Sequence, residues 1–293
     1  MSDFRVISSG LNLRSAAIVA PNNIKATLPE GQVVTRIGTE PNSTKWWKVR
    51  TIINSNTLEG FVSKSFLSPI STEFSFPNPD NTILGTKLSL WATFYLVPQV
   101  NENPNGIELL DTDDNGLGVK LSARDWCNAA LEGTVAVTTT SGRTKTFNFA
   151  GTGDFQVNCR PFFPQLGTIE RTNQSRFKLS RGKFGEGVDS LNLVPYRSIA
   201  VDRSEIAIGT VIFIPAARGV TIVLPSGGTT VHDGYFFAAD VGGAIKDNHI
   251  DIFIGTAATN PFSFIKSVKT ATFDAFIVNS SVIANGLNTS HTA

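Results

Sequence analysis

Three aspartates in apolar surroundings carry the most chemistry in this chain. They lie in Ala200-Val201-Asp202, in Ala239-Asp240-Val241-Gly242-Gly243-Ala244-Ile245-Lys246 and in His249-Ile250-Asp251-Ile252-Phe253. Each acid sits inside or at the end of a run that reads as a β-strand, where a carboxylate loses hydration that something must replace. If the strands bring Asp202, Asp240 and Asp251 to one cleft, desolvation and mutual repulsion raise at least one pKa until that carboxyl holds a proton near neutral pH. Such a group is a general acid. Taken singly, any of the three can instead cap a turn or accept backbone hydrogen bonds at a strand end.

The elements that must position these acids are short and β-like. With 293 residues the chain has room for about two domains. Its 41% hydrophobic content, 25 Gly, 14 Pro and 21 Phe give many brief apolar runs separated by turn residues, so the fold class is mainly β. Runs at Leu88–Tyr95, Thr134–Thr140, Thr144–Ala150, Arg197–Val201, Thr210–Ile214, Gly219–Leu224, Tyr235–Ala239 and His249–Ile254 are predicted strands. One helix is expected behind Ser122, with Asp125 at capping-box spacing and Gly133 as its stop. The segment Pro225-Ser226-Gly227-Gly228-Thr229-Thr230 reads as a hairpin or lid.

Residues 4 to 67 have a pattern of their own. Short alternating runs such as Val6-Ile7, Leu11-Asn12-Leu13-Arg14, Trp46-Trp47-Lys48-Val49-Arg50 and Gly60-Phe61-Val62 are divided by Pro29-Glu30-Gly31, Pro41-Asn42-Ser43 and Asn54-Ser55-Asn56. A small barrel is the expected result. A proline-rich linker follows, and the Ser/Asn/Thr-rich end of the chain reads as a fraying tail in which His291 is a surface residue.

The order Leu-Asn-Leu-Arg, Leu-Pro-Glu-Gly-Gln-Val-Val, Trp-Trp-Lys-Val-Arg and Glu-Gly-Phe-Val-Ser over the first segment resembles the bacterial SH3-like domain, a module often attached to cell-wall enzymes. Further on, Trp91-Ala92-Thr93-Phe94-Tyr95, Tyr196 to Asp202, Ile208 to Ile214, Ala239 to Lys246 and Ile250-Asp251-Ile252-Phe253 resemble the three-aspartate (3D) domain, and the same elements look like the double-psi β-barrel of membrane-bound lytic transglycosylase A. The resemblance implies an SH3-like wall-binding domain at 1–70, a linker at 71–84, a 3D double-psi barrel with insertions and one or two short helices at 85–279, and a polar tail at 280–293.

It also implies an activity: cleavage of the β-1,4 bond between N-acetylmuramic acid and N-acetylglucosamine in peptidoglycan, with a 1,6-anhydromuramic product and no cofactor or metal. In that family the acid eleven residues after the aspartate of the Asp-x-Gly-Gly-Ala-Ile-Lys element is the single acid and base, which is Asp251 here. Asp240 would position the cleft and keep Asp251 protonated, and Asp202 would bind sugar hydroxyls or brace the barrel. Gly242 and Gly243 would let the backbone approach the saccharide, Thr93 and Tyr95 would line the groove, Lys246 would contact sugar, and Trp46 and Trp47 would offer an aromatic surface to the wall. For Thr93 and Tyr95 plain strand packing is the alternative, for Lys246 a solvated charge, and for at least one Trp a place in the core of a domain that small. Asp247 stands where the family usually has glycine, Val241 replaces a common threonine, and some 37 residues separate Asp202 from Asp240, more than in compact members.

Other chemistries fit less well. A formal charge of +1 lacks the basic footprint of a nucleic-acid binder. No run approaches bilayer length, and the first twenty residues lack the pattern of a secretory signal, so a soluble protein is expected; a monomer is favoured, and the resemblance implies action on a periplasmic or extracellular wall. Cys127 and Cys159 can pair in an oxidising compartment or remain two buried thiols, since spacing does not give a Cα separation. Asp111-Thr112-Asp113-Asp114-Asn115-Gly116 imitates a calcium loop, but its twelfth position is Ser122 rather than glutamate, so a solvated turn is expected. His232 and His249 are too far apart for a helical metal pair, and His249 reads as a strand residue that at most flanks Asp251. Two rival functions remain: a muramidase that adds water at the same cleft, and a non-catalytic wall binder.

Overall fold

Alternation of apolar and polar residues builds the N-terminal sheet from β1 (Ser2–Val6), β2 (Leu11–Arg14), β3 (Ile24–Leu28), β4 (Val33–Thr39), β5 (Trp46–Ile53), β6 (Asn56–Ser63) and β7 (Leu67–Pro69). These strands pair antiparallel in the order β3-β2-β6-β5-β4-β1-β7. On β5, Val49 and Thr51 turn inward while Lys48 and Arg50 turn out, and Arg50 meets Glu59 across the sheet at 2.8 Å. Phe4, Leu13, Leu28, Val34, Val49 and Val62 close the core. The computed structural model describes all residues except 1, 7, 9, 31, 41–43, 54–55, 70–73, 226 and 293, and only the backbone of 2, 3, 5, 68 and 69. Ile7, Gly31, the turns Pro41-Asn42-Ser43 and Asn54-Ser55, linker residues 71–73 and Ser226 therefore lie outside the described residues.

The chain divides into two compact units, residues 1–75 with 221–231, and residues 76–220 with 232–293. In the larger unit β8 (Leu84–Tyr95) is followed by β9 (Gln99–Asn101), β10 (Ile107–Leu110), β11 (Gly116–Leu121), α1 (Ala123–Glu132), β12 (Thr134–Thr138), β13 (Thr144–Thr152) and β14 (Ser175–Leu179). The expected capping chemistry holds. Ser122 Oγ accepts the N–H of Asp125 at 3.1 Å, and Gly133 ends the helix at φ 73°, a conformation that favours glycine. Strands β14-β13-β12-β9 form a sheet that buries Phe147 and Phe177 against Trp126 of α1. Cys127 and Cys159 are joined in a disulfide with Cα atoms 5.4 Å apart, which fastens α1 to the segment after β13.

The second layer is a closed ring. After β15 (Ser198–Ala200) and β16 (Val211–Phe213) come β17 (Thr221–Val223) and β18 (Thr229–Val231), an antiparallel hairpin at the place where a hairpin or lid was expected. Then β19 (Tyr235–Asp240), β20 (His249–Phe253) and β21 (Phe273–Val278) complete a ring in the order β15-β19-β16-β21-β8-β20. The β15–β19 and β20–β8 pairs are parallel. Parallel neighbours are usually covered on both sides, and β19 accordingly buries Tyr235, Phe236, Phe237, Ala238 and Ala239 in succession without alternation.

The polar tail expected at 280–293 is instead α2 (Ser281–Thr292). Ile283, Leu287 and His291 recur every four residues on one face and are buried. His291, expected at the surface, has no exposure; its Nε2 lies 3.0 Å from Ser198 Oγ and its Nδ1 2.7 Å from the Leu287 carbonyl. Two apolar side chains and a hydrogen-bonded histidine, buried on one face, outweigh the polar composition of the segment. Among the described residues no helix is long and apolar enough to cross a membrane.

Candidate active site

Strand register decides where two of the three aspartates go. Ala200 on β15 pairs with Asp240 on one side and with Asp251 on the other, so a single small residue separates the two acid-bearing strands. Asp251 is also the parallel partner of Thr93 on β8. Thr93 and Tyr95 stand two apart and share a face of that strand. Thr93 Oγ1 lies 2.7 Å from Asp251 Oδ1, and the Tyr95 hydroxyl donates to Asp240 Oδ2 at 2.9 Å. One strand thus handles both carboxyls.

Burial pushes the Asp251 carboxyl up to about 7; Thr93 pulls the other way, and the negative charges of Glu132 and Asp240 add smaller upward pushes. Burial likewise moves Asp240 up to about 6, opposed by the N–H of Val241 and by Tyr95. The Tyr95 phenol is raised well above its ordinary value, first by burial and then by Asp240, so it stays a donor. Desolvation dominates, with repulsion between the acids a minor contribution to Asp251.

Asp202 behaves differently from the expectation of a shared cleft with raised proton affinity. Two residues past Ala200, it accepts the hydroxyl and the N–H of Ser204 at 2.7 and 3.1 Å and the N–H of Asp247 at 3.1 Å. These bonds hold its carboxyl below the usual carboxylate range, so it is ionised and braces two loops. Lys246 is exposed, and its charge favours the ionised form of Asp202. Asp247, read from the resemblance as standing at a glycine position, has φ 55°, in the left-handed region that favours glycine; aspartate is one of the side chains that tolerates this region.

The other sequence candidates are placed as follows. A Cβ on Gly242 would come within 2.6 Å of Ile245, so that glycine serves the packing of its own loop, whereas the space beside Gly243 is open. The hydroxyls of Thr93 and Tyr95 are engaged with carboxyls. In the smaller unit Trp47 packs on Phe4 with ring centroids 4.6 Å apart and carries the Arg36 guanidinium 4.5 Å from its ring. Trp46 instead lines a groove with Val19, Lys45 and Phe66. The Asp111 carboxylate accepts N–H groups from Asp113 and Asn115 at 2.9 and 2.8 Å, as a turn does.

One residue escaped the sequence reading of the site and a second was only partly read. Glu132, the last residue of α1, accepts the N–H of Leu96 at 3.3 Å, and burial raises its pKa. A glutamate at a helix end carries no signal that it will face a strand 36 residues earlier. His249 Nε2 lies 2.9 Å from Thr93 Oγ1, and the ring stacks on Trp91 with centroids 3.6 Å apart. Its flanking position had been foreseen, its link through Thr93 had not.

The family model of the 3D domain matches residues 197–261, a stretch that contains Asp202, Asp240 and Asp251. No curated protein matches the chain by sequence. Among solved structures the chain is similar to Escherichia coli MltA with bound chitohexaose, at 15% identity and a TM-score of 0.43, covering 80% of this chain and 76% of that one. It is also similar to a membrane-bound lytic murein transglycosylase from Agrobacterium tumefaciens, at 14% identity and a TM-score of 0.40 over 83% and 79% of the two chains. MltA from Neisseria gonorrhoeae is 11% identical with a TM-score of 0.42, over 80% and 75%.

Proposed function

We propose that the protein is a peptidoglycan lytic transglycosylase that cleaves the N-acetylmuramic acid to N-acetylglucosamine β-1,4 bond with Asp251 as its one acid and base. The observation that carries this reading is a carboxyl with a pKa of about 7 inside the 3D-domain match. Such a group is protonated often enough at neutral pH to give its proton to a glycosidic oxygen, and basic enough once ionised to take one back. Departure of the leaving group breaks the glycosidic bond and leaves an oxocarbenium-like centre, which the new carboxylate stabilises. The muramoyl C6 hydroxyl then adds to that centre as its proton passes to Asp251, which closes the 1,6-anhydro ring and restores the acid.

A muramidase needs a second carboxylate to activate water. Asp240 fits that task poorly, because Oδ2 accepts from Tyr95 and Oδ1 accepts the N–H of Val241 at 2.8 Å. Those bonds suit a group that frames the cleft. Asp202, ionised and tied to its loops, is read as a brace. Residues 1–70 are read as the wall-binding module, with Trp46 rather than Trp47 as its aromatic contact, and a second contact on one chain raises avidity for an insoluble wall. The working place is then the periplasm or the cell exterior, where a disulfide persists.

Mass spectrometry of sacculi digested with the protein tests the bond and the mechanism together. Anhydromuramic ends are expected. Reducing muramic ends would establish the muramidase, and intact sacculi that retain bound protein would establish the binder.

A further inference from the structure

Strand β8 sets three side chains on the face that carries the acid. Trp91, Thr93 and Tyr95 share that face, and β20 runs parallel beside them in register, so His249 stands next to Trp91, Asp251 next to Thr93 and Phe253 next to Tyr95. The result is a strip with an aromatic pair on each side of the acid pair. Successive pairs are about 7 Å apart along the strand, a step comparable with one pyranose ring of a β-1,4 chain.

The two ends of the strip differ. At one end Phe253 has no exposure, the Tyr95 phenol is bonded to Asp240 at 2.9 Å, and Val97, Leu193 and Phe184 pack around the pair. That end is closed. At the other end His249 covers one face of the Trp91 indole, with ring centroids 3.6 Å apart and planes 8° from parallel. Rings stacked across neighbouring strands turn their faces along the ladder, so the second face of the indole looks toward β21. Among the described residues no strand partner stands there: the β21 ladder reaches β8 only as far as Phe273 opposite Leu90, and Thr272, the next residue back, is exposed outside the strand. The indole is half-buried. Its Nε1 is buried without a hydrogen-bond partner among the described residues, so a phenylalanine would stack on His249 without that cost. What the indole adds over a phenyl ring is a wider flat face.

We propose that Trp91 is a substrate-binding residue whose second face packs against the hexosamine ring next to the scissile bond, on the side of Asp251 away from Tyr95, with His249 as the positioning residue that holds the indole upright. It rests on the transglycosylase reading above for the identity of the glycan. A β-linked hexosamine carries its large substituents equatorially, so its axial C–H bonds form an apolar face that suits the electron-rich face of an indole, while hydroxyls and N-acetyl groups stay at the edge. With that ring on Trp91, the bond that meets Asp251 is the one a single pair further along the strip.

Chitohexaose, a soluble chain of β-1,4-linked N-acetylglucosamine, tests the subsite in the full chain carrying Asp251→Asn, where nothing is cleaved. Adding Trp91→Ala should weaken its binding by about tenfold in calorimetry, and Trp91→Phe by about threefold. The chain has four tryptophans, and the indole 15N–H signal that Trp91→Phe removes should be the one that chitohexaose shifts. In the active protein Trp91→Ala should raise KM for soluble glycan strands and leave kcat within about threefold. No binding of chitohexaose, an unmoved indole signal, equal affinity in a folded Trp91→Ala variant, or a loss confined to kcat would overturn the subsite, the last by showing that the indole acts only through His249 and Thr93. If Trp91→Ala does not fold, Trp91→Phe and the indole signal decide alone. Bound chitohexaose with no release of wall fragments would overturn the enzyme reading and leave the subsite standing.

Discussion

Strand β19 has a carboxyl at each end, and the two are buried in opposite ways. Asp233, two residues ahead of the strand, accepts two guanidinium N–H groups of Arg197 at 2.6 and 2.8 Å and the N–H groups of Phe76 and Tyr235 at 3.0 and 3.2 Å. Both members of that pair are nearly inaccessible. Asp240, at the other end, has a phenol and one backbone N–H, and among the described residues neither it nor Asp251 forms an ion pair. A charge that is paired can remain a charge in the interior, whereas one that is not paired takes up a proton instead. The first end is therefore architecture, and the second is where the proposed chemistry falls. Glu186 repeats the architectural solution: burial would raise its pKa, but Arg181 and Lys178 hold it down to about 2.

The sharpest way to break this contrast is Asp251→Asn, which keeps the shape and removes the proton. Release of soluble wall fragments should drop by about 10²- to 10⁴-fold while binding to sacculi persists. A variant that keeps a tenth of the activity would move the acid role elsewhere. At the other end, Asp233→Asn leaves the Arg197 charge buried without its counter-charge, and unfolding in denaturant should show a loss of about 3–5 kcal/mol.

The same Asp251→Asn change should act in the opposite sense on stability. The folded pKa of Asp251, about 7, lies above the ordinary 3.8, so between these values the folded chain binds more protons than the unfolded chain and stability falls as pH rises. Above pH 7 the full cost is present, and the variant should be more stable there by about 1–3 kcal/mol, with the advantage gone below pH 4. Equal stability at both pH values would show that burial does not raise the acid. The smallest effect belongs to Asp247→Gly. It relieves a φ of 55° while keeping the N–H that Asp202 accepts, and should raise stability by about 0.5–1 kcal/mol in the same measurement.

Legibility in the sequence followed the range of the interaction. The capped helix behind Ser122, the hairpin after Leu224 and the strands carrying Asp240 and Asp251 could all be read locally, from a cap, a glycine turn and apolar β-rich runs. Strands such as β9 and β14 have little pattern of their own and exist because neighbours supply their hydrogen bonds. Helix α2 was hidden by its Ser/Asn/Thr content, since three buried residues four apart outweigh composition only once the surface they dock on exists. The three acids were named together from the sequence, but they are not one group in space. Register puts Asp240 and Asp251 either side of Ala200 and leaves Asp202 past the strand end, in a turn.

The sequence by itself determined the mainly β character, the identity of the acids and the strands that hold them, because periodicity and turn chemistry act over a few residues. Only the tertiary structure decided which carboxyls lose their water, which acquire a cation, and that His249 reaches Asp251 through Thr93. Proton affinity depends on everything within several ångströms of a group, and most of that comes from residues far away along the chain.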